Sequence, residues 1–322
     1  MKKRLITGGC GFIGSNFIRY VTDEYPDDFI VNIDALTYAG KKENLTGIND
    51  TNYKFVQGNI CDQRLVRKLF EKYDFDEVVN FAAESHVDNS IAGPRIFIET
   101  NVNGTLNLLD IALAAWKKKD GTVDRTKKFL QISTDEVYGS ITDGSYKETS
   151  VLHASSPYSA SKAAADLLVQ AYGITYGMPF MITRCTNNYG PFQGREKFLP
   201  LMITQALCGK PLPVYGDGGN VRDWLHVLDH CVAIELVLRK GTIGEIYNIG
   251  ADNEWKNIDV VTTLLEKMGK PKTLINFVTD RLGHDRRYSL DSSKIRSRLG
   301  WQPTISFEDG LAETIAWYRN VL

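Results

Sequence analysis

The sequence predicts a doubly wound α/β fold: a parallel sheet with helices on both faces, plus a smaller lobe built mainly from the second half of the chain. Three observations carry this expectation. Short apolar runs alternate with helical stretches through the first half of the 322 residues. A glycine-rich turn joins the first apolar run to the first helix. After about Asn188 the texture changes, and glycine and proline punctuate shorter elements.

The runs Arg4–Thr7, Phe29–Asp34, Tyr53–Gln57, Glu77–Ala82 and Lys128–Ser133 are nearly continuous in apolar character, as expected of parallel strands buried on both faces. Between them, Phe12–Tyr25, Gln63–Tyr73 and Ile96–Trp116 read as helices. Repeated β-α-β units with short connections leave few topologies other than a parallel sheet. Another helix is predicted from Pro157, because Ser155 and Ser156 offer caps and proline suits a first turn. Phe180–Arg184 then returns to strand. Residues 1–187 are assigned to a dinucleotide-binding domain that also carries the catalytic residues. Residues 188–322 are assigned mainly to a lobe over the carboxyl ends of the strands, where open α/β sheets bind ligands, with some segments returning to the sheet.

Composition sets the class. The chain is 43% hydrophobic and 24% charged, with a formal net charge of −1, so no overall field draws nucleic acid or an anionic membrane. An anionic ligand must be held by local groups. Cys10, Cys61, Cys185, Cys208 and Cys231 are far apart and form no CxxC pair, and no histidine sits among ligand-type residues. Neither a disulfide framework nor a metal site is expected. The opening Met1-Lys-Lys-Arg lacks the apolar core of a signal peptide, and no later run suffices to cross a bilayer. The expected location is the cytoplasm.

The turn after the first strand, Thr7-Gly-Gly-Cys-Gly-Phe-Ile-Gly14, spaces glycines at Gly8, Gly11 and Gly14. Glycine allows the tight turn and lets the backbone approach a pyrophosphate, whose charge then meets helix N–H groups. Asp34 ends the second strand, 20 residues beyond Gly14, where a carboxylate can accept from both adenosine ribose hydroxyls. It would also repel a 2′-phosphate. The pattern therefore predicts NAD rather than NADP.

Tyr158 and Lys162 stand four apart near the start of the predicted helix, on one face. A tyrosine with a pKa of about 10 is a poor base near neutrality, and an adjacent ammonium favours its phenolate. Upstream, Thr134, Asp135 and Glu136 should emerge at the carboxyl end of a central strand. Adjacent carboxylates in a cleft can divide into acid and base if their surroundings separate their pKa values. Arg222, Arg281 and His284 supply candidate cations for phosphate.

On these residues the chain resembles the extended short-chain dehydrogenase/reductases, with their Rossmann-type sheet, over nearly its whole length. It is most similar to the dTDP-glucose 4,6-dehydratases. The likeness rests on Thr7–Gly14, Asn80–Asp88, Thr100–Thr105, Ser133–Gly139, Pro157–Lys162, Asn187–Pro191, Asn220–Leu225 and Asp280–Tyr288. Thr-Asp-Glu is its specific element, since similar sugar epimerases lack the acid pair. The resemblance implies that Tyr158, assisted by Thr134, takes the C4 hydroxyl proton, that Glu136 takes the C5 proton, and that Asp135 protonates the departing 6-hydroxyl. It implies that Phe12, Ile13, Asn59, Ile60, Ala82 and Lys162 help hold NAD. It further implies that Ser85, His86, Asn188, Glu196, Lys197 and Asn257 join Arg222, Arg281 and His284 around a dTDP-glucose substrate, in a homodimer.

Four positions depart from the family pattern: Asn59 in place of Asp, Asn89 in place of Arg, Arg195 in place of Pro, and Leu282 in place of Pro. Asn59 can still accept a hydrogen bond. The alternatives are a 4-epimerase or a dehydratase for another nucleotide sugar on the same scaffold, or a non-catalytic NAD sensor. The acid pair speaks against an epimerase, Asp34 against an NADP-dependent enzyme, and the retained Tyr158 and Lys162 against a sensor.

Overall fold

All the predicted strands of the first half form, and they lie in one parallel sheet. From one edge the order is β10 (Ile246–Ile249), β6 (Phe180–Cys185), β5 (Lys128–Thr134), β4 (Glu77–Asn80), β1 (Lys3–Thr7), β2 (Phe29–Asp34) and β3 (Tyr53–Gln57). The computed structural model describes residues 1–49, 51–280 and 282–321. Side chains alternate through the sheet. Ile6, Val79, Leu130 and Ile249 pack on one face with α1 (Phe12–Glu24) and α8 (Val227–Lys240). Leu5, Val78, Phe129 and Ile182 pack on the other face with α2 (Gln63–Tyr73), α5 (Gly104–Trp116) and α6 (Pro157–Tyr176). α10 (Ser293–Leu299) adds Ile295 to the first of these layers.

A smaller lobe follows β6. It holds a three-stranded sheet of β7 (Asn187–Tyr189), β9 (Val221–His226) and β11 (Glu254–Lys256), and a parallel pair of β8 (Leu212–Tyr215) and β12 (Ile275–Val278). Leu199 and Met202 of α7 (Phe198–Leu207), Leu264 of α9 (Asn257–Met268) and Leu311 of α11 (Phe307–Val321) close its core around Tyr189 and Trp224. Among the described residues no helix is long and apolar enough to cross a membrane.

Most boundaries match within one residue, and two differ by more, each because of a contact between distant segments. β4 stops at Asn80 rather than Ala82, because the Ala82 N–H leaves the ladder and donates to Thr7 Oγ1 at 3.1 Å. The single helix expected over 96–116 is interrupted. After the short helices α3 (Val87–Ala92) and α4 (Arg95–Phe97), residues Ile98–Asn103 widen into a π-helical turn before α5 begins. Asn101 in that turn bonds to both backbone groups of Glu84, at 2.8 and 3.0 Å, and to Ser161 Oγ at 2.8 Å. Such turns collect at functional sites, and this one fixes the end of the loop leaving β4.

Candidate active site

The turn after β1 is closed by Gly11 N–H donating to the Gly8 carbonyl at 3.1 Å. Gly8 has φ of +68°, and a Cβ there would lie 2.7 Å from the Ala82 backbone. A Cβ on Gly14 would lie 2.5 Å from the Gly8 carbonyl oxygen. No other residue type fits these two positions without moving backbone. Asp34 Oδ2 accepts from Cys10 N–H and Oδ1 from Leu36 N–H, both at 2.8 Å, which fixes the carboxylate at the strand end. Gly8, Gly11, Phe12, Ile13, Gly14, Asp34, Asn59, Ile60 and Ala82 all line one cleft. A side-chain-free turn, a helix N-terminus and a fixed acid fit a dinucleotide. Asn59 Oδ1 is engaged by Cys61 N–H at 2.8 Å.

The same cleft takes its floor from β5 and α6. Ser156 and Ser159 cap α6 reciprocally, at 3.1 and 2.9 Å, and Pro157 opens the first turn. Ser155 turns away to Asp285. The cap sets Tyr158 in the first turn and Lys162 one turn on, both buried and both lining the cleft. Lys162 Nζ donates to the Ile132 carbonyl at 2.7 Å. Burial, and then the charge of Glu136, push the Tyr158 phenol well above its ordinary value, while its hydrogen bond with Thr134 pulls it down. The sequence suggested Lys162 for that lowering role. Here Thr134 is the neighbour that lowers the phenol, and Lys162 Nζ points to the Ile132 carbonyl.

Thr134 ends β5, and Asp135 and Glu136 open the turn that follows. The Thr134 hydroxyl donates to Asp135 Oδ1 at 3.1 Å and accepts from Glu136 N–H at 3.3 Å. Asp135 is buried, and its Oδ2 has no hydrogen-bond partner among the described residues. Burial first, then Glu136, hold its carboxyl well above the usual range, against the pull of Arg222 and Thr134. Glu136 is half-buried and lines both the cleft and an adjoining pocket.

That pocket shares Ser85, Asn187, Glu196 and Lys197 with the cleft and extends to His86, Arg222, Asn257 and His284. Lys197 Nζ donates to the Ser85 carbonyl at 2.9 Å, and His86 Nδ1 accepts from Asn89 N–H at 3.4 Å. His284 Nδ1 lies 2.6 Å from Asp280 Oδ1. Arg222 is held by the carbonyls of Val221 (2.7 Å) and Asp285 (2.9 Å) and stacks 4.3 Å from the centre of the Tyr288 ring. Asn188 lines the cleft, but its side chain faces inward, to the Thr186 carbonyl (2.9 Å) and the His230 ring (2.8 Å). Arg281 lies outside the described residues. Tyr288 and Glu84, which also line these spaces, went unassigned in the sequence although both fall within the segments that carry the resemblance.

A seven-stranded parallel sheet with a glycine cradle and a Tyr–Lys pair over one cleft defines an extended short-chain dehydrogenase/reductase. Within that class the chain belongs to the GDP-mannose 4,6 dehydratase family, whose profile matches residues 5–314. It is 52% identical to the low-salt glycan biosynthesis protein Agl12 of Haloferax volcanii, over 98% of this chain and 97% of that protein. It is 50% identical to the dTDP-glucose 4,6-dehydratase of Haemophilus influenzae, over 99% and 98%. The crystal structure of DesIV, a dTDP-glucose 4,6-dehydratase from Streptomyces venezuelae with NAD and TDP bound, matches with a TM-score of 0.93 at 48% identity, over 99% and 97%. A UDP-glucose 4-epimerase of Thermotoga maritima with UDP-glucose matches almost as well, with a TM-score of 0.90 at 28% identity, over 99% of each chain. Backbone shape is therefore common to dehydratases and epimerases, and the cleft residues must separate them.

Proposed function

We propose that this chain is a dTDP-glucose 4,6-dehydratase that works with NAD held through each cycle. The observation that carries the reading is the division of the acid pair: Asp135 buried with its carboxyl pKa raised, Glu136 half-buried at the junction of cleft and pocket. NAD, when bound, supplies the hydride acceptor for C4, the hydride donor for C6 and a positive ring that favours the Tyr158 phenolate. Gly8, Gly11 and Gly14 with Phe12 and Ile13 hold its pyrophosphate side. Asp34, Asn59 and Ile60 hold the adenosine, and Ala82 and Lys162 the nicotinamide end.

Tyr158, with Thr134 beside it, takes the C4 hydroxyl proton. The 4-ketone acidifies the C5 hydrogen, and Glu136 removes that proton. Asp135 gives its own proton to the 6-hydroxyl, which departs as water, leaving a C5–C6 double bond. Ser85 and His86 lie toward the sugar, Glu196 and Lys197 line the pocket, Arg222, His284 and Asn188 lie toward the diphosphate, and Asn257 toward the nucleoside end. The elevated acid of Asp135 is what elimination requires and what C4 epimerisation alone does not use. Exposed Ile96, Ile98, Leu167 and Ile174, on α6 and the helical stretch packed against it, support a homodimer. Five unbridged cysteines support a reducing, cytoplasmic setting.

The test is incubation with dTDP-glucose, GDP-mannose, UDP-glucose and CDP-glucose, followed by product mass. The reading expects a 4-keto product one water lighter from dTDP-glucose. A product of unchanged mass, or dehydration only of another nucleotide sugar, would overturn it.

A further inference from the structure

We propose that Asp166 is a positioning residue that keeps the Lys162 ammonium charged inside the protein, and that Arg184 sets how much of the Asp166 charge Lys162 feels. This rests on the reading of Lys162 as the cation beside the cofactor and Tyr158. Lys162 and Asp166 stand four apart on α6 and so share one face. Both are buried, Asp166 completely and Lys162 to 4% exposure. Lys162 donates to the Ile132 carbonyl at 2.7 Å, a neutral acceptor that satisfies one N–H without offsetting the charge. Burial draws the ammonium's pKa down, and Asp166 is the foremost group raising it.

Asp166 is itself held from the sheet side. Its Oδ2 accepts from Ser133 Oγ at 3.0 Å and from Arg184 Nε at 2.9 Å, while Oδ1 has no hydrogen-bond partner among the described residues. Arg184 is 1% exposed and locked in turn. Its Nη1 donates to the Tyr138 hydroxyl at 2.7 Å, and the guanidinium sits 4.8 Å from the centre of the Tyr138 ring. The Tyr138 hydroxyl donates onward to Asn248 Oδ1 at 3.0 Å.

The other titratable groups around Lys162 do not replace Asp166. Tyr158 precedes it by one turn on α6, Cys185 faces it from β6, and Asp135 follows β5. Burial pushes all three up, toward their neutral forms. Glu136 lies farther out, where cleft and pocket join. Arg184 thus bonds this buried carboxylate directly, and Lys162 lies within reach of its charge. Removing the carboxylate should discharge the weaker cation, lysine, because a guanidinium does not give up its proton.

The experiment follows the Lys162 Nζ resonance by ¹⁵N NMR in lysine-labelled holoenzyme, assigned with Lys162→Met. Four proteins are titrated with pH: the parent, Asp166→Asn, Arg184→Met and the double variant. Lys162 should lose its proton about one pH unit or more lower in Asp166→Asn. It should hold the proton to higher pH in Arg184→Met, where Asp166 no longer shares its charge. The double variant should fall between the two single variants. If Asp166→Asn does not fold, the two Arg184→Met proteins differ only at residue 166 and give the same comparison. An unchanged Lys162 titration on loss of Asp166, or single variants that shift the same way, would overturn the proposal. No substrate is present, so the result is independent of which nucleotide sugar the enzyme dehydrates.

Discussion

Asp135 and Glu136 are consecutive residues in different surroundings: the first is buried under the Thr134 hydroxyl at 3.1 Å, and the second is half-buried where cleft and pocket meet. Adjacent residues thus present one carboxyl whose pKa burial raises and one that reaches the junction of cleft and pocket. General acid and general base differ in this way when a single site must both give and take a proton.

Replacing either carboxyl by an amide should therefore stop elimination while sparing oxidation. Asp135→Asn and Glu136→Gln keep shape but transfer no proton, and each should lower kcat by roughly 100- to 10,000-fold. In Glu136→Gln, solvent deuterium should enter C5 slowly or not at all. Near-parent dehydration by both variants would mean that these carboxyls are structural.

Tyr158→Phe keeps the ring, which meets Phe97 edge to face at 6.3 Å between centroids, and removes only the hydroxyl. The variant should fold and retain nucleotide, yet oxidise C4 roughly 100-fold slower or worse. A single-turnover assay of NADH formation measures this. Turnover within a few-fold of the parent would assign the proton to another base.

Asp34→Ala should weaken the preference for NAD over NADP, because it removes the acceptor for the ribose and the repulsion of a 2′-phosphate. The same change frees the N–H groups of Cys10 and Leu36, so the glycine turn should also loosen and affinity for both nucleotides should fall. Nucleotide released from the purified parent should be NAD(H). Equilibrium binding of NAD and NADP to parent and variant checks both parts.

Asp223 gives the fold a pH dependence of definite sign. Its carboxyl accepts from Ala251 N–H at 2.9 Å and Asn253 N–H at 2.7 Å, and burial pushes its pKa up to about 6. Between the ordinary carboxylate value near 4 and about 6, the folded state binds this proton more tightly than the unfolded chain. Stability from this group is therefore full below pH 4, falls as pH rises to 6, and is flat above. The whole effect is at most about 3 kcal/mol, from roughly 1.4 kcal/mol per pKa unit. Asp223→Asn should lack this fall, so the parent-minus-variant difference in denaturant stability should decrease from pH 4 to pH 6.

What was legible in the sequence was whatever local pattern decides. Strands β1 to β6 stand where continuous apolar runs place them, β10 was not marked by one, and the glycine turn and the cap before Pro157 lie where residue type demands. Contacts between distant segments were not legible. No local signal marks that Lys162 would turn to Ile132, that Asn188 would face His230, or that Thr7 would draw Ala82 out of the β4 ladder. The π-helical turn was hidden for the same reason, since the partners of Asn101, Glu84 and Ser161, are 17 and 60 residues away. Asp166 and Arg184 looked like ordinary helix and strand residues, because their roles arise only when β6 is laid beside β5.

The outermost strand of the central sheet, β10, pairs with β6 but is encoded after β7, β8 and β9 of the smaller lobe. During synthesis the ribosome must therefore make β7, β8 and β9 of that lobe before it delivers the strand that covers β6. A nascent chain that stalls before Ile246 carries β6 as an open edge, buried in the finished protein and sticky in the unfinished one. Interrupted translation in the middle of this chain should thus be more prone to aggregation than an interruption after β10.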